Sequence, residues 1–157
     1  MELDERVTWF YEAVGSSEGM VNPTVGASQV YMTTKRDSTG DLLRADRNYT
    51  LRVPKDVPVG QFWALTLYSE DTRRPYDNGG TDTRSANLDS RMPDLVKNAD
   101  GSVDLFAGPT APAGFEKNHM KTVGNDGWFI YFRLYAPPQP FFDKTFTLPD
   151  FEDTGPN

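Results

Sequence analysis

An all-β domain, built as a sandwich or a barrel, is the fold class this sequence predicts, and three observations predict it. Aromatic residues make up 13% of the chain, and 12 prolines and 13 glycines supply turns throughout. Short runs of aromatic and β-branched residues recur from residue 28 onward, separated by Gly, Pro, Asn and Asp. The longest run, Trp128–Tyr135 (WFIYFRLY), is aromatic or apolar at every position but Arg133, which suits a strand covered on both faces. At 157 residues a single domain is the simplest partition, and one of this size buries about 70% of its unfolded surface.

The elements follow in chain order. Residues 3–14 place Leu3, Val7, Phe10 and Val14 at helical spacing, with Asp4 and Glu5 in the first turn and Gly15 as the stop. Residues 1–15 therefore predict a short amphipathic helix, and residues 16–27 a loop. Strands are expected over 29–34, 48–53, 62–68, 102–106 and 128–135, with turns at 37–40 and 98–101 between some of them. Residues 69–100 hold few apolar positions and predict either a long functional loop or one or two short edge strands. Along 128–135, period two sends Trp128, Ile130, Phe132 and Leu134 to one face and Phe129, Tyr131, Arg133 and Tyr135 to the other. Pro137, Pro138 and Pro140 end the pairing, and the first two can open a short helical turn that folds Phe141 and Phe142 back onto the sheet. The sandwich domain thus runs over 28–152, and residues 153–157 read as a frayed tail.

Composition narrows the chemistry. There is no cysteine, which removes disulfides, thiolate metal sites and a cysteine nucleophile. The single histidine, His119, cannot form a two-His metal site, so neither a transition metal nor any other cofactor is expected. A net charge of −7 speaks against nucleic acid. No run of about 18 apolar residues occurs, so no membrane-spanning helix is expected, and an acidic N-terminus is unlike a signal peptide. The expected setting is the cytoplasm.

Motif by motif, most candidates resolve to structure. Residues 26–30 miss the last glycine of a nucleophile elbow. Residues 98–104 (NADGSVD) put Val96 and Ala107 at calcium-loop positions that require carboxylates, so a turn before a strand is the better reading. Asn48-Tyr49-Thr50 has the glycosylation pattern but falls inside an expected strand.

Several separated blocks together carry a family resemblance. They are Asn48-Tyr49-Thr50-Leu51, Phe62-Trp63 through Leu67-Tyr68, Asp71-Thr72-Arg73, Asn98 to Leu105, Pro112-Ala113-Gly114, Arg133-Leu134-Tyr135, and Phe142-Asp143 to Leu148-Pro149-Asp150. In that order the chain resembles domain of unknown function 1214 from about Gln29 to Glu152. That domain commonly follows a second module, domain of unknown function 1254, which this sequence does not contain. The resemblance implies a jelly-roll-like antiparallel β-sandwich and brings no activity with it. Two positions depart from the family pattern: His119 stands where a Trp is expected and Ala136 where a Gly is common.

The candidate site residues are Arg133, Tyr135, Tyr68, Asp71 and Arg73, the polar groups near the ends of the two strongest strands, together with His119 as the lone imidazole. An arginine on an aromatic strand needs a partner. The favoured reading is an ion pair with Asp71 or Asp143 that ties loop to sheet, and the alternative is a grip on an anionic or hydroxylated ligand beside Tyr68 and Tyr135. Three function classes stay open. The leading one is a domain that binds a polar small molecule or carbohydrate. The others are an assembly module, forming homo-oligomers or packing on a partner domain, and a hydrolase-like enzyme pairing carboxylates among Asp71, Asp77, Asp82 and Asp143.

Overall fold

The computed structural model describes Val7, residues 24–79 and residues 86–156. The expected N-terminal helix lies, except for Val7, outside the described residues. Eight strands occur among those residues: β1 (Gln29–Thr34), β2 (Arg47–Val53), β3 (Trp63–Ser69), β4 (Asn87–Asp89), β5 (Val103–Gly108), β6 (His119–Lys121), β7 (Trp128–Tyr135) and β8 (Glu152–Pro156). They form two open four-stranded sheets, in the orders β1-β7-β3-β4 and β6-β5-β2-β8. The first sheet is antiparallel throughout. The second is mixed, because β6 runs parallel to β5.

β7 takes an interior place because its eight residues contain no proline or glycine, so both edges can pair. Its outer-face Tyr131, Arg133 and Tyr135 are only half-buried, unlike the expected strand covered on both faces. It pairs along its length with β1 on one side and β3 on the other. Its inner residues, Trp128, Ile130, Phe132 and Leu134, join Leu65 and Leu67 of β3, Tyr49, Leu51 and Val53 of β2, and Val103 and Leu105 of β5 in one core fed by both sheets. Trp63 stacks on Phe132 with ring centroids 5.5 Å apart. Tyr49 meets Trp128 edge-on at 5.5 Å, and Phe151 meets Trp128 edge-on at 5.3 Å, which locks β2 and the approach to β8 against β7. The Tyr49 hydroxyl accepts the Arg44 amide at 3.1 Å, so this buried polar tip is satisfied.

Two glycines are set by close approach. A Cβ on Gly108, at φ +153°, would lie 2.8 Å from the Asn48 Cα, and one on Gly60 would lie 2.6 Å from the Ala136 carbonyl oxygen. Ala136 itself has φ +51°, a left-handed conformation that glycine tolerates better.

Among the described residues of 69–100 there is one short edge strand, β4, beside β3, in line with the second of the two expected readings. The expected tail is instead β8, whose residues pair with β2 across a bulge at Asn48/Tyr49. His119 opens the edge strand β6 but is buried there. The helical turn after the proline cluster spans Gln139–Phe142, with Pro140 in its first turn. No helix among the described residues is long and apolar enough to cross a membrane.

Candidate functional site

The alternation that buries one face of β7 turns Phe129, Tyr131, Arg133 and Tyr135 outward, and the neighbouring strands add their own aromatics in register. Tyr31 of β1 lies opposite Arg133, and Thr66 of β3 lies opposite Tyr131. The rings form a continuous platform. Tyr68 stacks on Phe129 at 5.4 Å, while Tyr131 meets Tyr68 edge-on at 5.2 Å and Tyr31 edge-on at 5.6 Å. At the far end Phe62 stacks on Tyr135 at 4.0 Å, with the Arg91 guanidinium 3.5 Å from the Phe62 ring.

Arg133 sits half-buried in the middle of this platform. One terminal nitrogen donates to the Thr66 hydroxyl at 2.9 Å and the other to the Tyr68 hydroxyl at 2.6 Å. Its carbon lies 5.3 Å from the Tyr31 ring centroid and 5.9 Å from those of Tyr68 and Tyr131. Burial works against its charge, but hydrogen bonding to Tyr68 and Tyr31 outweighs that and holds the guanidinium charged more firmly than usual. The expected ion pair is not there. Among the described residues no carboxylate pairs with Arg133; Asp143 instead accepts the Gln139 side-chain amide at 2.9 Å, and Asp71 lies in the exposed turn after β3. The correction has a simple origin. Register places hydroxyls of β3 beside the guanidinium, and they meet its donors before any loop carboxylate can.

The remaining site candidates divide. Tyr68 and Tyr135 belong to the platform, and Arg73 reaches its edge. Arg73 takes φ +59° in a tight turn, donates to Glu70 at 2.6 Å and lies 5.6 Å from the Phe129 centroid. His119 belongs elsewhere. It is buried in the second sheet, with Nε2 2.9 Å from the Gly108 carbonyl oxygen. Burial lowers its pKa, the Gly108 contact partly opposes this, and Lys121 lowers it further. Among the described residues no group of three or more His, Asp or Glu is placed to hold a metal ion. Tyr31, Phe129 and Tyr131 could have been found from period two alone. Phe62 shares a face with Thr66 and Tyr68 in the expected strand 62–68, so period two could have found it too, whereas Arg91 lies outside the strands and carries no such signal.

The NADGSVD block is structural. Asp100 accepts the Ser102 amide and hydroxyl at 2.9 and 2.6 Å, closing the turn. Asp104 accepts from two of the Arg52 nitrogens, Nε at 2.8 Å and Nη2 at 3.1 Å, and from the Asn98 side-chain amide at 2.9 Å. The fully buried Asn118 then ties this region together, exchanging hydrogen bonds with Val96 N and O and donating to the Asp104 carbonyl.

Comparison with known proteins supports the fold and brings no activity with it. No curated protein matches the chain. The fold is similar to that of the VPA0106 protein of Vibrio parahaemolyticus, with a TM-score of 0.65 and 18% identity over 80% of this chain and 30% of that one. It is also similar to an uncharacterised protein of Burkholderia cenocepacia, with a TM-score of 0.59 and 17% identity over 94% of this chain and 33% of that one. The chain therefore spans about a third of the length of these solved relatives. The model of the family described as "Protein of unknown function (DUF1214)" matches residues 28–139, and the chain belongs to that family.

Proposed function

We propose that the outer face of β1-β7-β3-β4 binds a polar small molecule or carbohydrate, with rings stacked on the tyrosines and a carboxylate or several hydroxyls taken by Arg133. One observation carries this reading. A half-buried guanidinium stands among three tyrosine rings, held by hydroxyls alone, with no carboxylate partner among the described residues. Such a charge is oriented but not neutralised, which favours an anionic or hydroxyl-rich ligand. The accompanying fold reading is a jelly-roll-like sandwich, supported by two four-stranded sheets around a shared core.

The test is an NMR titration with glucuronate and, in parallel, glucose. Saturable shifts at Tyr31, Tyr68 and Tyr131 are expected, stronger for glucuronate and abolished in Arg133→Met. No saturable shift with either sugar, or undiminished binding by Arg133→Met, would sink the reading.

A second reading is packing of this face on a partner domain. It is supported by the fact that both solved relatives are about three times longer than the matched part. Hydroxyl-radical footprinting separates the two: protection of Tyr31 in a multimer or in a longer form of the protein would favour packing. The enzyme reading has less support. Asp77 caps the Gly79 amide, Asp143 is bonded within its own turn, and Asp82 lies outside the described residues.

A further inference from the structure

The tyrosine platform is longer than it is wide, and its three arginines are not equivalent. Along β7 the outward residues run from Phe129 to Tyr135, six residue steps or about 20 Å. Across the strands the rings reach from Tyr31 on β1 to Tyr68 on β3, two strand spacings or about 10 Å.

Each end of this strip is closed by an arginine that is already neutralised. At one end Arg73 lies 5.6 Å from the Phe129 centroid and pairs with Glu70 at 2.6 Å. At the other, Arg91 covers Phe62 at 3.5 Å and pairs with Asp89 at 3.2 Å. Arg133 stands between them, and of the three it alone has no carboxylate partner among the described residues.

We propose that the ligand of this face is a linear acidic oligosaccharide of three rings, laid along β7 with its decisive carboxylate on the internal ring. The inference rests on the reading of this face as a binding surface, and adds the ligand's length, its direction and the position of its charge.

Spacing sets the length. Outward residues on one strand recur every two positions, so Tyr131 and Tyr135 stand about 13 Å apart with Arg133 halfway between. One ring group surrounds Tyr131, and the other is the stack of Tyr135 on Phe62. A single sugar held by the guanidinium cannot touch both groups, whereas a chain with one more ring on each side reaches both.

The arginines set the position of the charge. The end guanidiniums have carboxylates of their own, so an acidic group at either tip of the ligand gains little. In the middle, a guanidinium carries more N–H donors than the hydroxyls of Thr66, Tyr68 and Tyr31 take up. Directly across from Arg133 on β3 is Ala64, which brings no side-chain acceptor. The donors left over suit a carboxylate.

Backbone pairing sets the class. β7 is paired along its length on both sides, so a peptide strand cannot add to it and recognition falls to side chains. Those side chains combine aromatic rings with hydroxyls, which matches the apolar ring face and hydroxyl rim of a sugar.

The experiment is a two-dimensional amide NMR titration with glucuronate and its linear dimer, trimer and tetramer, run beside the methyl ester of the trimer and a tetraglutamate peptide. Affinity should rise to the trimer, about tenfold above glucuronate, the order of aromatic contacts added at the two ends, and gain nothing more with the tetramer. The trimer should add shifts at Phe62 and Tyr135 to those at Tyr31, Tyr68 and Tyr131. Its methyl ester should bind about tenfold more weakly, as expected when one charge-assisted contact is lost. Phe62→Ala should lower the ratio of trimer to glucuronate affinity; its amide spectrum reports its folding directly, and Phe62→Leu provides a milder variant.

The proposal is overturned if glucuronate binds as tightly as the trimer, or if the trimer leaves Phe62 and Tyr135 unshifted. It is equally overturned if the ester binds as well as the acid, or if tetraglutamate binds more tightly than the trimer. Saturable glucuronate binding with no gain from length removes this inference and leaves the platform reading standing. No binding by any member of the series removes both.

Discussion

Each sheet carries an arginine on the outward face of a strand that has neighbours on both sides, and the two residues are satisfied in opposite ways. Arg52 on β2 lies directly across from Asp104 on β5, and the two make a two-point ion pair with the arginine side chain 61% exposed. Arg133 on β7 is half-buried and finds only hydroxyls and tyrosine rings. The first arrangement is a solvated surface that looks after itself. The second keeps a positive charge poised among aromatic faces, in a setting drier than the surface, where it is worth more to a ligand. The inner faces of the sheets are alike, and the outer faces set their roles apart.

The strongest way to break this comparison is through the core that both sheets share. Phe132→Ala should cost about 3–5 kcal/mol, because a fully buried ring is lost and the cavity collapses only in part. Denaturant midpoints followed by tyrosine and by tryptophan fluorescence should move together. If they separate, the sheets are independent units and the comparison between their faces loses its basis.

The next effect is smaller, and its smallness is the point. Arg133→Met should change stability by less than about 1 kcal/mol, since half-exposed hydroxyls can turn to water. A stranded buried ion pair would instead cost about 3–5 kcal/mol. A loss of that size in a denaturant titration would restore the structural tie and remove the support for a ligand.

At the end of β7, Ala136 holds a left-handed backbone beside Gly60. Ala136→Gly should raise the melting temperature slightly: relief of about 1–2 kcal/mol of strain is offset by glycine's extra unfolded-state freedom of roughly 0.5–1 kcal/mol. A lower melting temperature would show that the Ala136 methyl contributes packing beyond its strain.

The smallest effect separates the two arginines by pH and salt. Asp104 has its pKa lowered, first by the hydrogen bond from Arg52 and then against the opposing effect of burial, with Asn98 adding to the lowering. A depressed folded-state value means this stabilisation is complete above the ordinary 3.8 and is lost as pH falls through the lowered value. Arg52→Met should therefore flatten part of the acid limb of a stability–pH curve and reduce its salt dependence, whereas Arg133→Met should leave both unchanged. Equal responses from the two variants would erase the distinction.

Much of this is legible in the sequence alone. The two faces of 128–135, the interior places of β3 and β7, and the five longer strands all follow from local alternation and turn residues, which act over a few positions. β8 was not legible, because Glu152–Pro156 is polar and carries a glycine and a proline. It becomes a strand only because β2 presents a free edge to it. β6 is three residues long and runs parallel to β5, so no short-range pattern announces it. His119 was readable as an edge histidine but not as a buried one.

The sequence by itself determined that Arg133 would face outward among aromatics, because the period of a strand fixes the direction of every side chain. Which groups would meet it was decided by the tertiary structure. Thr66 and Tyr68 stand 67 and 65 residues away along the chain, and Tyr31 arrives from the strand on the other side of β7. Register between distant strands, set by packing of the inner faces, chose hydroxyls over the expected carboxylates of Asp71 or Asp143.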